Sequence, residues 1–364
     1  MKIFIIHASA GHGHKMVAEA IKEFAVDSYG ADSVKLLDIL DFTSSFYRTI
    51  YSKGYIFCIS KLKRLWAILF FLSDTKYLGP VNNNFRRFTN KIFCRKFIKF
   101  LKSEKPDVII STHFLVNELV SALKENKELN SKLISVVTDF GVHNFWIAKN
   151  VDVYAAGCEK TREILLSKGV QAQRIKVSGI PIRKQFQRSI EKNQVRQRLN
   201  LHPDGFTVLI LTGGIGIGPI EQIVRQINDR INVIVICGNN KKLYGQLNDL
   251  GYQRLSVLGW VDQIEEVMSV SNLVITKPGG STITECLSAD LPMIFFSIIP
   301  GQEFHNAKII SEYNLGLIIE NPQEIAEKIL FFRENSAEAQ KIRDRMRSFK
   351  ITGSANRVLS LINE

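Results

Sequence analysis

The sequence holds no C-x-x-C pair and no histidine–cysteine cluster at metal-ligand spacing. Its five cysteines (Cys58, Cys94, Cys158, Cys237 and Cys286) stand singly, several of them in apolar stretches. That excludes a disulfide framework and a zinc ribbon, and predicts buried thiols in a reducing compartment. No D-x-D pair follows an apolar strand, so no metal is expected as a required ion. No apolar run reaches the roughly 20 residues that span a bilayer as a helix; Trp66 to Leu72 is far shorter. The opening MKIFIIHAS reads as a strand, too short in its apolar run and too weakly basic for a secretory signal. Acid is scarce in one place. Between Phe46 and Lys105, fourteen Lys and Arg meet only Asp74 and Glu104, so this sixth of the chain holds nearly all of the net charge of +13.

The same segment carries 14 of the 35 Phe, Tyr and Trp residues. A basic, aromatic-rich stretch suits an anionic lipid surface or a nucleic acid. No nucleic-acid motif accompanies it, and the apolar Trp66–Leu72 run, with Phe70 and Phe71, fits a membrane interface, so no nucleic acid is expected. The plainer alternative puts half of the aromatics in a core with the lysines solvating its outside. It accounts for part of the segment, not for both features together. One helical face holds Phe85, Phe88, Ile92, Phe93, Phe97, Phe100 and Leu101; basic residues hold the other.

Elsewhere strands and helices alternate from end to end, which predicts an α/β fold with parallel sheets. Strands are expected at 2–7, 35–39, 107–111, 133–138, 152–156 and 174–178. A second series follows at 206–211, 232–236, 254–258, 273–276, 293–296 and 315–319. The division falls near Pro181 to Gln187. Two Rossmann-like domains facing a cleft are the economical architecture, residues 1–183 (with an insertion at about 46–105) and 184–345. A C-terminal helix, 346–364, has room to pack back on the first domain. In such sheets ligands gather at the C-terminal strand ends.

Several strand ends are chemically loaded. The first runs into His7-Ala-Ser-Ala-Gly-His-Gly-His14, where Gly11 and Gly13 let the backbone approach a ligand. His14 at a helix start is the candidate general base, since the helix N-terminus disfavours its protonated form; His7 reads as structural. The fourth strand leads to Asp139, His143 and Trp146. Asp139 either caps a turn or serves the reaction, and Trp146 is a candidate stacking platform for a sugar ring or a lipid. In the second half, Lys277 to Asn306 pairs two corners. Gly279, Gly280, Ser281 and Thr282 open a helix whose unpaired N–H groups suit phosphate, and Glu285 lies one turn in, where it can accept from ribose hydroxyls. Thr212-Gly213-Gly214 offers further backbone donors for a diphosphate, and Trp260-Val261 backbone atoms for a nucleobase.

These residues resemble, in order and across both halves, the monogalactosyldiacylglycerol synthases and bacterial processive diacylglycerol glucosyltransferases. The matching pieces are SAGHGH (Ser9–His14), VVTDFGVHNFW (Val136–Trp146), KVSGIPIRKQF (Lys176–Phe186), TGG (Thr212–Gly214), KPGGSTITE (Lys277–Glu285) and PGQEFHN (Pro300–Asn306). The transferase that forms lipid II is a more distant likeness. The resemblance implies a GT-B fold and inverting transfer of a hexose from UDP-glucose or UDP-galactose to diacylglycerol. It implies no cofactor beyond that donor. It implies His14 as base, Asp139 and His143 on the acceptor side with Gly13, and Glu285 on the ribose. Gln302, Glu303 and Asn306 would lie near the donor sugar. The basic insertion, with Trp66, Phe70 and Phe71, would dock on anionic lipids at the inner face of the cell membrane, the protein being cytoplasmic and peripheral. The loop GGIGIG departs from the family pattern in its extra glycine and apolar character. Rival readings are transfer to an undecaprenyl-linked or lipopolysaccharide acceptor, a UDP-sugar epimerase, and a non-catalytic UDP-sugar sensor.

Overall fold

Aliphatic and β-branched runs bounded by polar loops form twelve strands among the described residues of the computed structural model. Those residues are 1–9, 11–54, 57–58, 62–74, 89–203, 205–211, 219–227 and 231–364. The strands are β1 (Ile3–His7), β2 (Val34–Asp38), β3 (Val108–Ser111), β4 (Lys132–Val136), β5 (Val153–Ala156) and β6 (Ile175–Val177) in the first lobe. The second lobe holds β7 (Thr207–Leu211), β8 (Asn232–Ile236), β9 (Leu255–Leu258), β10 (Leu273–Thr276), β11 (Met293–Phe295) and β12 (Gly316–Ile318). Each expected strand is present, its ends moved by no more than two residues.

The strands make two six-stranded sheets, ordered β2-β1-β3-β4-β5-β6 and β12-β11-β10-β7-β8-β9, and the pairings are parallel. The order reverses beside β1 in one sheet and beside β7 in the other. Those switch points are where a crevice opens at the strand ends. Both faces of the first sheet are covered. Ile3 and Ile5 point into one core and Phe4 and Ile6 into another, the period-two alternation of a strand.

Two chain crossings join the lobes. One lies near Ile180 to Lys184, where the Lys184 N–H donates to Glu23 at 2.9 Å and Arg183 donates to the Asp262 carbonyl at 3.0 Å. The other follows helix Ser336–Phe349, which is tied to the second lobe by Arg347 and Lys350 on Asp290, at 2.8 and 3.0 Å. The chain then returns to the first lobe as helix Ser354–Ser360, and Lys132 donates to the Ile362 carbonyl at 3.3 Å. A Cβ on Gly179 would press within 3.0 Å of Ile351 Cβ, so the crossings touch. Cys94, Cys158, Cys237 and Cys286 are buried and unpaired, and Cys58 is half-buried.

Candidate functional site

The β1 strand hands over to helix His12–Tyr29 at Gly11, which places His14 in the first turn. Its Nδ1 lies 2.8 Å from the Thr112 carbonyl oxygen and 2.9 Å from the Thr138 hydroxyl. A carbonyl only accepts, so Nδ1 carries the proton and Nε2 is left as the basic nitrogen. Thr112 returns the contact, its hydroxyl donating to the His14 carbonyl at 2.9 Å. The His113 ring packs edge-on at 4.6 Å. Burial lowers the His14 pKa, against the pull of Asp139. Burial also raises that of Asp139, against the opposing effects of His14 and an Asn306 hydrogen bond. Both shifts favour the uncharged forms.

Asn306 belongs to the other lobe, in helix Gln302–Glu312, and is fully buried. Its Nδ2 donates to Asp139 Oδ1 and to the Pro278 carbonyl, each at 3.0 Å. Its Oδ1 accepts from the N–H groups of Phe140 and Gly141, at 2.8 and 3.1 Å. One amide thus joins the acceptor-side loop to the glycine corner. Glycine is required around it. A Cβ on Gly280 would collide with the Thr138 carbonyl oxygen, and one on Gly141 would sit 2.5 Å from His305 Cβ. A Cβ on Gly13 would stand 3.2 Å from Ser281 Oγ. At the glycine corner the lobes therefore meet backbone to backbone, Gly280 against the Thr138 carbonyl.

The glycine corner opens helix Gly280–Ser288, with Ser281 and Thr282 half-buried in its first turn. Thr138, Gly280 and His14 lie within one connected set of contacts. Glu285 follows one turn on, its pKa raised to about 7 by burial, with Arg183 opposing and Glu265 reinforcing the rise. Trp260 is half exposed after β9, donating to Asp262 at 2.8 Å, and its ring lies 5.3 Å from that of His12 across the cleft mouth. Val261 beside it is half-buried. Gln302 is half-buried at the second corner, where Glu303 accepts from the Ile299 N–H at 2.8 Å and so shapes the turn. Gly301 there has φ 114°, open only to glycine without strain. Gly213 and Gly214 lie outside the described residues.

Four expectations change on contact with the structure. Trp146 is fully buried, packed near Phe114 and His14. It supports the base from beneath and offers no face to a lipid or sugar. His143 is buried with both ring nitrogens engaged: Nδ1 accepts from the Phe145 N–H, and Nε2 faces the Phe70 carbonyl at 3.1 Å and Ser73 Oγ at 3.2 Å. That makes it a positioning residue. Phe70 is only 6% exposed, wedged against His143 and Gly301. Trp66, half-buried, donates from its indole to the Pro300 carbonyl at 3.1 Å. The outward residues of helix Lys63–Ser73 are instead Leu65, Ile68 and Leu69, 50–56% exposed, with Leu72 and Phe71 at 43%. Leu65, Ile68, Leu69 and Leu72 fall at i, i+3, i+4 and i+7, a stripe visible in the sequence. Of the supposed basic-aromatic helix, Phe85 and Phe88 lie outside the described residues. Phe97 and Leu101 are core, while Ile92 and Phe93 are exposed: two helical pieces meeting near Cys94 do not share one continuous face.

Comparison with known proteins places this geometry. Residues 14–182 match the family "Monogalactosyldiacylglycerol (MGDG) synthase" and residues 207–356 match "Glycosyltransferase family 28 C-terminal domain". The processive diacylglycerol beta-glucosyltransferase of Bacillus pumilus is 26% identical over 372 residues, covering 100% of this chain and 94% of that protein. Among solved structures, MurG of Acinetobacter baumannii superposes with a TM-score of 0.61 at 14% identity, covering 100% of this chain and 99% of that one. Alr3699/HepE of Anabaena, in complex with UDP-glucose, gives 0.59 at 13% identity with the same coverage. The fold is GT-B.

Proposed function

Since the chain belongs to the family of monogalactosyldiacylglycerol synthases and processive diacylglycerol glucosyltransferases, we propose that it transfers a hexose from a UDP-sugar to diacylglycerol with inversion. The family supports a glycolipid-forming glycosyltransferase, and the UDP-glucose complex of a neighbour of this fold supports the donor class. The observation that carries the reading is the locked His14 tautomer beside the glycine corner, with Nδ1 held by the Thr112 carbonyl.

In this mechanism the diphosphate rests on the N–H groups of the Gly279–Thr282 helix start. Glu285 accepts from the ribose, and Trp260-Val261 lies toward the base. Gln302 and Glu303 edge the sugar. The lipid hydroxyl approaches on the first-lobe side, past Gly13. His14 Nε2 takes its proton as the oxygen bonds to the anomeric carbon. The bond from that carbon to the phosphate oxygen breaks, and UDP leaves with the electron pair. A single displacement from the face opposite UDP inverts the centre. Asp139, held in place by Asn306, faces the imidazolium that forms. Backbone donors and the helix dipole meet the charge on the leaving diphosphate, so no divalent ion is required.

No described helix is long and apolar enough to cross a membrane. We place the protein on the inner face of the cell membrane through its outward leucines and basic flank, on anionic lipids. The test is incubation of purified protein with UDP-glucose or UDP-galactose and diacylglycerol vesicles, with and without EDTA, followed by NMR of the product anomer. A β-linked product from an α-linked donor, undiminished by EDTA, is expected. A retained anomer, or folded protein that transfers neither sugar, would sink the mechanism.

A further inference from the structure

Helix Lys63–Ser73 has two faces with different jobs, and they are eleven residues of one element. Outward lie Leu65, Ile68 and Leu69, each at least half exposed, with Arg64 exposed beside them. Inward lie Trp66, which reaches the second lobe, and Phe70, which stands between His143 of the first lobe and Gly301 of the second. The indole of Trp66 donates to the Pro300 carbonyl at 3.1 Å, and the Phe70 ring packs on Gly301, where a Cβ would stand 3.2 Å from it. Phe71 stacks on His305 at 5.7 Å. Those partners form the corner that opens helix Gln302–Glu312, which carries Gln302, Glu303 and Asn306. The helix end is fixed to the first lobe: Asp74 accepts from the Asn144 N–H at 2.7 Å and from Lys168 at 2.9 Å. The element therefore bridges the lobes at the donor corner while showing leucines to the outside.

A helix this short is marginal in water unless something holds one of its faces. Its inner face is held by the closed lobes. Its outer face gains most from an apolar phase, and the exposed Lys91, Arg95, Lys96 and Lys99 that follow in the chain favour an anionic one. We propose that this helix couples the bilayer to the donor site: seating its outer face in an anionic membrane fixes Trp66 and Phe70 against Pro300 and Gly301. The second lobe is thereby held in its donor-gripping position. This rests on the reading of a lipid-surface transferase, and it adds that the surface itself, without acceptor, tightens the hold on the nucleotide. Linkage makes the effect reciprocal, so nucleotide must strengthen membrane binding by the same factor.

The test uses the full chain, UDP as probe, and phosphatidylglycerol–phosphatidylcholine vesicles free of diacylglycerol. UDP affinity by calorimetry should rise at least about fivefold on adding vesicles, the lower end of coupling between two sites. Vesicle partitioning should rise equally on adding UDP. Trp66→Phe, which keeps the ring and loses the N–H donor, should still bind vesicles but lose most of both responses. Phe70→Leu serves as a second uncoupling variant should Trp66→Phe misfold. Leu65→Ser with Leu69→Ser should lose vesicle binding and with it the response. Unchanged UDP affinity in wild-type protein bound to vesicles overturns the coupling. So does a full response in both uncoupling variants, or leucines that mediate self-association instead of vesicle binding. Because no acceptor is present, a failed coupling leaves the transfer assay above untouched, and a failed transfer assay leaves the coupling measurable.

Discussion

The two lobes share one architecture and load their cleft edges differently. The first lobe places ionisable side chains at its strand ends: His14, His113, Asp139 and His143, with pKa shifts at His14 and Asp139 that favour neutral forms. The second offers glycine backbone, a helix start and two carboxylates, Glu303 at the second corner and Glu285, whose pKa rises to about 7. Proton chemistry and anion holding are thus divided between lobes, and Asn306 is the amide that spans the division. Such a division lets each half be tuned separately, but it makes the reaction depend on closure.

The largest break in that contrast is at His14. His14→Ala should lower kcat by about 10²–10⁴, the usual contribution of a general base, with UDP affinity within about twofold of wild type by calorimetry. Because burial lowers the pKa of His14 from the ordinary imidazole value of 6.5, the midpoint of the acid limb of the wild-type rate should lie below pH 6.5. A midpoint above 6.5 would contradict the assignment. Next is Gly280→Ala. Its methyl would run into the Thr138 carbonyl, so the lobes must part, and misplacement on the ångström scale costs about 100-fold in rate. Normal kcat in this variant would show that the backbone contact is not part of the active geometry.

Asn306→Ala sharpens the contrast at its seam. It strands a buried carboxyl and two N–H groups, and should cost about 1–3 kcal/mol per unsatisfied group in closure or stability. A fall in kcat larger than the fall in thermal stability would mark a role in aligning Asp139. Smallest is Glu285→Gln, expected to weaken UDP by about tenfold, the loss of a charge-assisted hydrogen bond of about 1.4 kcal/mol. Its effect on stability has a definite sign. The folded state keeps a proton on Glu285 above the ordinary carboxyl range, so wild-type stability falls as pH climbs from 4.5 toward 7. Arg183 and Glu265, the charged groups facing it, set how far. Melting temperatures of Glu285→Gln should decline less across that window than those of wild type.

The strands were legible in the sequence because parallel sheets buried on both faces require unbroken aliphatic runs such as Val274-Ile275 and Ile234-Val235. The glycine corners were legible because a backbone that must approach another backbone admits no Cβ. Side-chain direction across the cleft was not legible. Trp66, Phe70 and Phe71 look alike in a string, and only the position of Pro300 and Gly301, more than two hundred residues away, decides that the first two turn inward. Trp146 was misread for a similar reason: a tryptophan after a polar strand end can sit in the cleft or under it, and here the His14 turn covers it. The engagement of His143 Nε2 depends on the end of a helix distant in the chain.

The lobes are linked by two lengths of polypeptide lying side by side, with Gly179 against Ile351 and Ser354. A single tether would allow swivel, slip and twist alike. A paired ribbon bends readily in one direction and resists the rest, so the halves should part like a jaw on a narrow pin. The Gly280 backbone would then come back against the Thr138 carbonyl in the same register at each bite.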